Sequence, residues 1–258
     1  MTVFKNESIL DYTVTSEDKH KCVDLAIEWL EDKDATRYFV CANPHSIHVA
    51  EKDKYFKESL NNADLVTPDG VGVVLASKIL GGEIQDRVTG SDVFFGLSDK
   101  LNVSGGKRYF FLGSTEEVLE QIKIKMAKDY PGITVAGIYS PPFKAEFSDE
   151  DNRKMIDAIN KAKADVLWVG MTAPKQEKWI YKNKGELDVR FIGAIGAVFD
   201  FFVGRVKRSH PVFLKLGLEW LPRLLQEPRR LWRRNFISNP SFMYRVFLEK
   251  FKYRRNQG

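Results

Sequence analysis

From residue 37 to about residue 200, short β-branched and aromatic runs alternate with segments of helical period, and this alternation leaves the chain very few folds. The runs are RYFVCA (37–42), ADLVTP (63–68), KRYFFLG (107–113), ITVAGIYS (133–140), ADVLWVGM (164–171) and VRFIGAIG (189–196). Amphipathic stretches such as EEVLEQIKIKMAKDY and DEDNRKMIDAINKAKA lie between them. Strand, helix, strand repeated this way predicts an α/β fold, a Rossmann-like, mainly parallel sheet with helices on both faces.

Ligands in such sheets sit beyond the carboxyl ends of the strands. The residues at the carboxyl ends of the first, second, third, fifth and sixth runs therefore become the candidates for chemistry. They are Cys41 to Pro44, Thr67 to Gly70, Gly113 to Thr115, Gly170 to Gln176 and Gly193 to Asp200. Polar groups and glycines are thus expected to converge on one rim.

Asp69, in TPDG at the end of a strand, has two readings. It can cap the following helix from a Pro-Asp-Gly turn, or it can stand at the rim as a base for a substrate hydroxyl. Asn43 is either a loop amide or a hydrogen-bonding group for a sugar or for that same hydroxyl. Gly113-Ser114-Thr115 is either a tight turn or a set of backbone N–H groups for a phosphate or ribose. Asp149-Glu150-Asp151 has a D-x-D look, but Ser148 before it and a helical period after it mark an N-cap and an acidic first turn. His45 and His48 find no third ligand in the pattern, so no catalytic metal is expected.

Charge divides the chain. Residues 205–258 carry 14 Lys/Arg against 3 Asp/Glu, whereas residues 1–204 carry 26 against 32. The expected organisation is a core at 1–204 and a basic appendage at 205–258. Within the appendage, Pro211, Pro222 and Pro228 break the chain into short helices. Trp232 and Phe236 are spaced to share one helical face and Arg230 and Arg233 another. Met243, Phe247 and Phe251 recur every four residues among basic side chains. This is the pattern of an amphipathic helix lying in a membrane interface. A basic tail seeks nucleic acid, phospholipid headgroups or a phosphorylated substrate. Two cysteines, Cys22 and Cys41, are too few for a disulfide framework. No signal peptide and no apolar run of about 20 residues is present, so a cytosolic chain that does not span the bilayer is expected.

Several segments together resemble the bacterial family of the TagA, WecG and CpsF glycosyltransferases. They are NP at 43, ADLVTPDGVGVV (63–74), RVTGSD (87–92), FFLG (110–113), APKQEKW (173–179), GAVFDFFVG (196–204) and GLEWLPRLLQEPRRLWRR (217–234). They occur in family order over roughly residues 40–236. The resemblance implies a metal-independent, inverting transfer from a UDP-sugar to a polyprenyl-diphosphate-linked acceptor at the inner face of the cell membrane. In the best known branch N-acetylmannosamine is added to N-acetylglucosamine on undecaprenyl diphosphate, beginning the linkage unit of wall teichoic acid. Relatives use other sugars for capsule, exopolysaccharide or enterobacterial common antigen.

By the same resemblance, Asp69 falls on the proposed general base and Asn43 on an asparagine near the acceptor and sugar. Arg87 falls on the arginine of R-V-x-G, a candidate for holding the diphosphate. Gln176 falls on the glutamine of P-K-Q-E, which reaches toward the donor sugar. Arg223, Arg230 and Arg233 fall on tail arginines thought to close over the site. Cys41 departs from the pattern: teichoic acid members usually carry threonine there, so it bears on sugar specificity. The resulting expectation has catalytic Asp69, Arg87 and Asn43, substrate-binding Cys41, Gly113, Gln176 and the three tail arginines, and no cofactor or metal. Partners are a UDP-sugar, a lipid-linked acceptor and an anionic membrane surface. The oligomeric state, a homo-oligomer included, is left open.

Two rivals compete with this expectation. One is a non-enzymatic lipid or nucleic-acid binder that uses the tail alone, although no nucleic-acid-binding motif frames the tail aromatics. The other is a nucleotide-sugar hydrolase or epimerase on the same fold. Deleting residues 205–258 is expected to abolish transfer and leave a folded body.

Overall fold

The computed structural model describes residues 4–32, 34–206, 232 and 234–255. Six parallel strands form the central sheet. They are β3 (Arg37–Ala42), β4 (Leu65–Pro68), β5 (Arg108–Gly113), β6 (Thr134–Tyr139), β7 (Val166–Gly170) and β8 (Phe191–Ala194), in the order β4-β3-β8-β7-β5-β6. Each falls within one of the runs read from the sequence, so the expected α/β class and parallel sheet are observed. A hairpin of β1 (Asn6–Ile9) and β2 (Tyr12–Thr15) precedes them. Its turn residues Leu10 and Asp11 both adopt positive φ, the conformation that matches the right-handed twist of paired strands.

Period-two alternation sends strand side chains to opposite layers. Tyr38, Val40 and Ala42 of β3 join one core, and Phe39 joins the other. The first layer is built by α2 (Pro44–Ala50), α3 (Lys54–Asn61), α4 (Val71–Leu80), α7 (Asp149–Ala162), α8 (Lys175–Asn183) and the last helix, α10 (Asn239–Arg255). The opposite layer is built by α1 (Lys19–Glu31), α5 (Gly90–Ser104), α6 (Glu116–Asp129) and α9 (Val198–Val203). Capping fixes several helix starts. At α7, Ser148 and Asp151 form a reciprocal capping box, and Glu150 pairs with Lys154. The acidic triplet is therefore a helix start, as its spacing indicates.

Helix α10 packs into the body. Phe242 and Val246, one turn apart, are 1% and 0% exposed and belong to the same core cluster as β3 and β8. Burying each contributes about 1.5–3 kcal/mol. Met243 packs partly against this cluster, whereas Phe247 and Phe251 remain exposed. The four-residue apolar stripe expected from the sequence thus splits between core and solvent. Polar ties reinforce the docking. Arg245 Nη2 meets Glu51 Oε2 at 2.9 Å, and Tyr12 donates to Glu51 Oε1 at 2.8 Å. His45 Nδ1 lies 2.9 Å from Ser238 Oγ, and His48 Nδ1 lies 3.1 Å from Ser241 Oγ.

Those contacts make the docking sensitive to acid. Burial, and then the charge of Arg234 for His45 and of Lys52 for His48, holds both imidazoles below the ordinary value of 6.5. Undocked imidazoles then bind protons more readily than docked ones. Stability is unaffected above the ordinary value and falls as pH drops through it. Amide exchange at pH 7.5 and 5.5, corrected for intrinsic rates, is expected to show α10 opening more at the lower pH while the sheet stays protected. Equal opening of α10 at both would contradict this.

Candidate active site

A cleft of about 1260 Å³ opens across the carboxyl ends of the strands. Register explains which residues reach it. Ala42 pairs with Pro68 across β3 and β4, so Asn43 and Asp69 leave the sheet side by side. Asp69 N donates to Ala42 O at 2.8 Å. Gly70 follows with φ +108 and occupies the capping position of α4 without a side-chain bond. The chain can turn there because glycine tolerates that conformation. Asp69 is therefore not the helix cap, and its carboxylate lines the cleft.

Arg87 arrives by a separate route. Val88 N donates to Pro68 O at 2.9 Å, which ties the Arg87 segment to the end of β4. The next residues start α5, where Thr89 and Asp92 form a capping box. Arg87 and the α5 start, Gly90 and Ser91, line the cleft together. A guanidinium beside the positive end of a 15-residue helix is suited to an anion.

Asn43 Oδ1 accepts from His45 N and Ser46 N as the cap of α2. Its side chain is thus spent partly on structure, and what it can offer the cleft is the amide NH₂. Cys41 lines the cleft and its thiol is 3.6 Å from Thr67 Oγ1. Burial, followed by the charge of Asp69, pushes that thiol well up, so it is a neutral group and not a thiolate. Gln176 and its neighbour Glu177 also line the cleft, 5% and 3% exposed. Burial raises the Glu177 carboxyl to about 7.

Gly113 does not line the cleft; Ser114 does. With φ +116, a Cβ on Gly113 would lie 2.5 Å from Gly170 O. Ser114 N already donates to that same carbonyl at 3.1 Å. The GST turn therefore serves close packing of β5 on β7 more than phosphate binding. Thr115 caps α6.

Arg223, Arg230 and Arg233 lie outside the described residues. Arg234, which the sequence reading passed over, lines the cleft with Asn239 and Met243. Trp232 and Phe236 stand close, ring centroids 6.2 Å apart, and both are about half exposed. Glu177 was also passed over, although it sits inside the quoted APKQEKW. A buried acid has no local sequence signal, because its burial depends on the sheet around it.

The model of the family described as "Glycosyl transferase WecG/TagA/CpsF family" matches residues 7–256. A Bacillus spizizenii protein is 34% identical over 215 residues, covering 83% of this chain and 80% of that protein. A Bacillus subtilis protein is 32% identical, covering 81% and 78%. One from Staphylococcus aureus is 29% identical, covering 84% and 82%. All three are named N-acetylglucosaminyldiphosphoundecaprenol N-acetyl-beta-D-mannosaminyltransferase.

Proposed function

Because the chain belongs to the WecG/TagA/CpsF family and is a glycosyltransferase, we propose that its cleft moves N-acetylmannosamine, or a related hexose, from a UDP-sugar to a polyprenyl-diphosphate-linked acceptor. N-acetylglucosaminyl-diphosphoundecaprenol, the acceptor in the names of its relatives, is the acceptor to test first. The product would enter a cell-envelope polysaccharide such as wall teichoic acid.

One observation carries this reading: Asp69, Arg87 and Arg234 line one cleft. Asp69 takes the proton of the acceptor hydroxyl as its oxygen attacks the anomeric carbon. UDP departs on the opposite side with growing negative charge. Arg87 and the α5 start meet that charge, and Arg234 adds to it from the C-terminal segment. Arginine suits the task because its fork binds phosphate oxygens two at a time and stays ionised. On this account no divalent ion is needed.

The same segment that brings Arg234 to the cleft exposes Trp232, Phe236, Phe247 and Phe251. Among the described residues no helix is long and apolar enough to cross a membrane. We place the chain peripherally at the inner face of the membrane, with these rings in the headgroup region and the basic residues on anionic lipid. The division at residue 204 is then one of role, since α10 itself is packed into the body.

The test incubates the full chain with the lipid-linked acceptor in liposomes and a panel of UDP-sugars, with and without EDTA, and identifies products by mass. Expected is a lipid product heavier by one N-acetylhexosamine, formed at a rate that EDTA leaves unchanged. UDP release without a lipid product would replace transfer by hydrolysis. Arrest by the chelator would overturn the metal-independent mechanism.

A further inference from the structure

Gln176 and Glu177 are consecutive residues at the start of α8, almost wholly buried yet facing the cleft. Gln176 Nε2 donates to Glu177 Oε1 at 2.9 Å. Their other two oxygens, Gln176 Oε1 and Glu177 Oε2, have no hydrogen-bond partner among the described residues. A buried polar atom left unpartnered is destabilising, and two on adjacent residues facing one cleft point to a ligand that satisfies both.

The surroundings say what kind of ligand. Among the described residues no lysine or arginine contributes to the electrostatics of Glu177; burial dominates and raises its carboxyl to about 7, so the protonated form is well populated at neutral pH. The Cys41 thiol feels the charge of the nearby Asp69 carboxylate, so this part of the cleft disfavours phosphate. The anion belongs beside Arg87 and the α5 start. What remains for the Gln176–Glu177 wall is the uncharged part of the donor.

We propose that Glu177 is a sugar-binding residue that works as the neutral acid, donating from Oε2–H to an oxygen of the transferred sugar while Gln176 Oε1 accepts a hydroxyl or amide hydrogen. This rests on the UDP-sugar reading above. It makes Glu177 distinct in kind from Asp69, which must be ionised to act.

The experiment measures calorimetric binding of UDP and of UDP-N-acetylmannosamine to the full chain, its Glu177→Gln variant and its Glu177→Leu variant. Glutamine keeps the size and an N–H donor, and leucine removes both polar functions. Glu177→Leu is expected to weaken the sugar nucleotide about tenfold and leave UDP unchanged, and Glu177→Gln to stay within about threefold of the parent for both. Leucine also removes the acceptor of Gln176 Nε2, so retained UDP binding serves as the check that the variant is folded. Equal weakening by Gln and Leu would show that a carboxylate is required and overturn the proposal, as would equal loss of UDP and UDP-sugar or no change in either variant. If the parent binds neither nucleotide, the donor reading itself fails and takes this inference with it.

Discussion

Asp69→Asn is expected to lower turnover by about 10²- to 10⁴-fold, the range a positioned general base contributes. Asparagine matches aspartate in shape, and the backbone bond from residue 69 to Ala42 O does not depend on the side chain. The cleft should therefore keep its form, and UDP-sugar affinity should be retained. What is lost is the capacity to take the acceptor proton while the new glycosidic bond forms. A side-by-side exit of Asn43 and Asp69 from the sheet sets where that hydroxyl must lie. Steady-state kcat against donor affinity separates the two effects. Normal turnover in the variant would remove Asp69 from the mechanism.

Arg87→Ala is expected to cost about 10²- to 10³-fold in turnover, the loss seen when one preorganised group facing transition-state charge is removed. Arg87→Lys should recover only part of it, because a lysine offers a point charge where arginine offers two parallel N–H bonds. The α5 start remains in both variants, so the ground-state affinity for UDP should fall less than kcat does. Full activity in Arg87→Ala would move the diphosphate elsewhere in the cleft.

Much of this was legible in the sequence because it is local. All six strands of the main sheet were readable from apolar runs, and the rim residues from the rule that ligands gather past strand ends. Strand order was not, since it depends on pairings between residues far apart in the chain. The first hairpin was also missed: NESI and YTVT are short and largely polar, and the burial of Ile9 and of β2 comes from packing on β4, α3 and α4. In α10 the spacing of Met243, Phe247 and Phe251 drew attention from Phe242 and Val246, the pair that docks. A helix with apolar groups on both faces gives no single stripe to read. His45 and His48, discounted as metal ligands, find their partners in Ser238 and Ser241, 193 residues away in sequence. No local pattern carries such a pairing. Arg234 was overlooked for a related reason, as one arginine among several in a run, selected only by the cleft it meets.

A single displacement with Asp69 as base fixes the stereochemistry of the product, which makes the anomeric configuration the most direct measurement of the account. The lipid-linked product formed from an α-linked UDP-sugar should be isolated and its one-bond C1–H1 coupling measured by NMR. The account predicts a β linkage, inverted from the donor. An α linkage would require two displacements or a front-face path, and would contradict it.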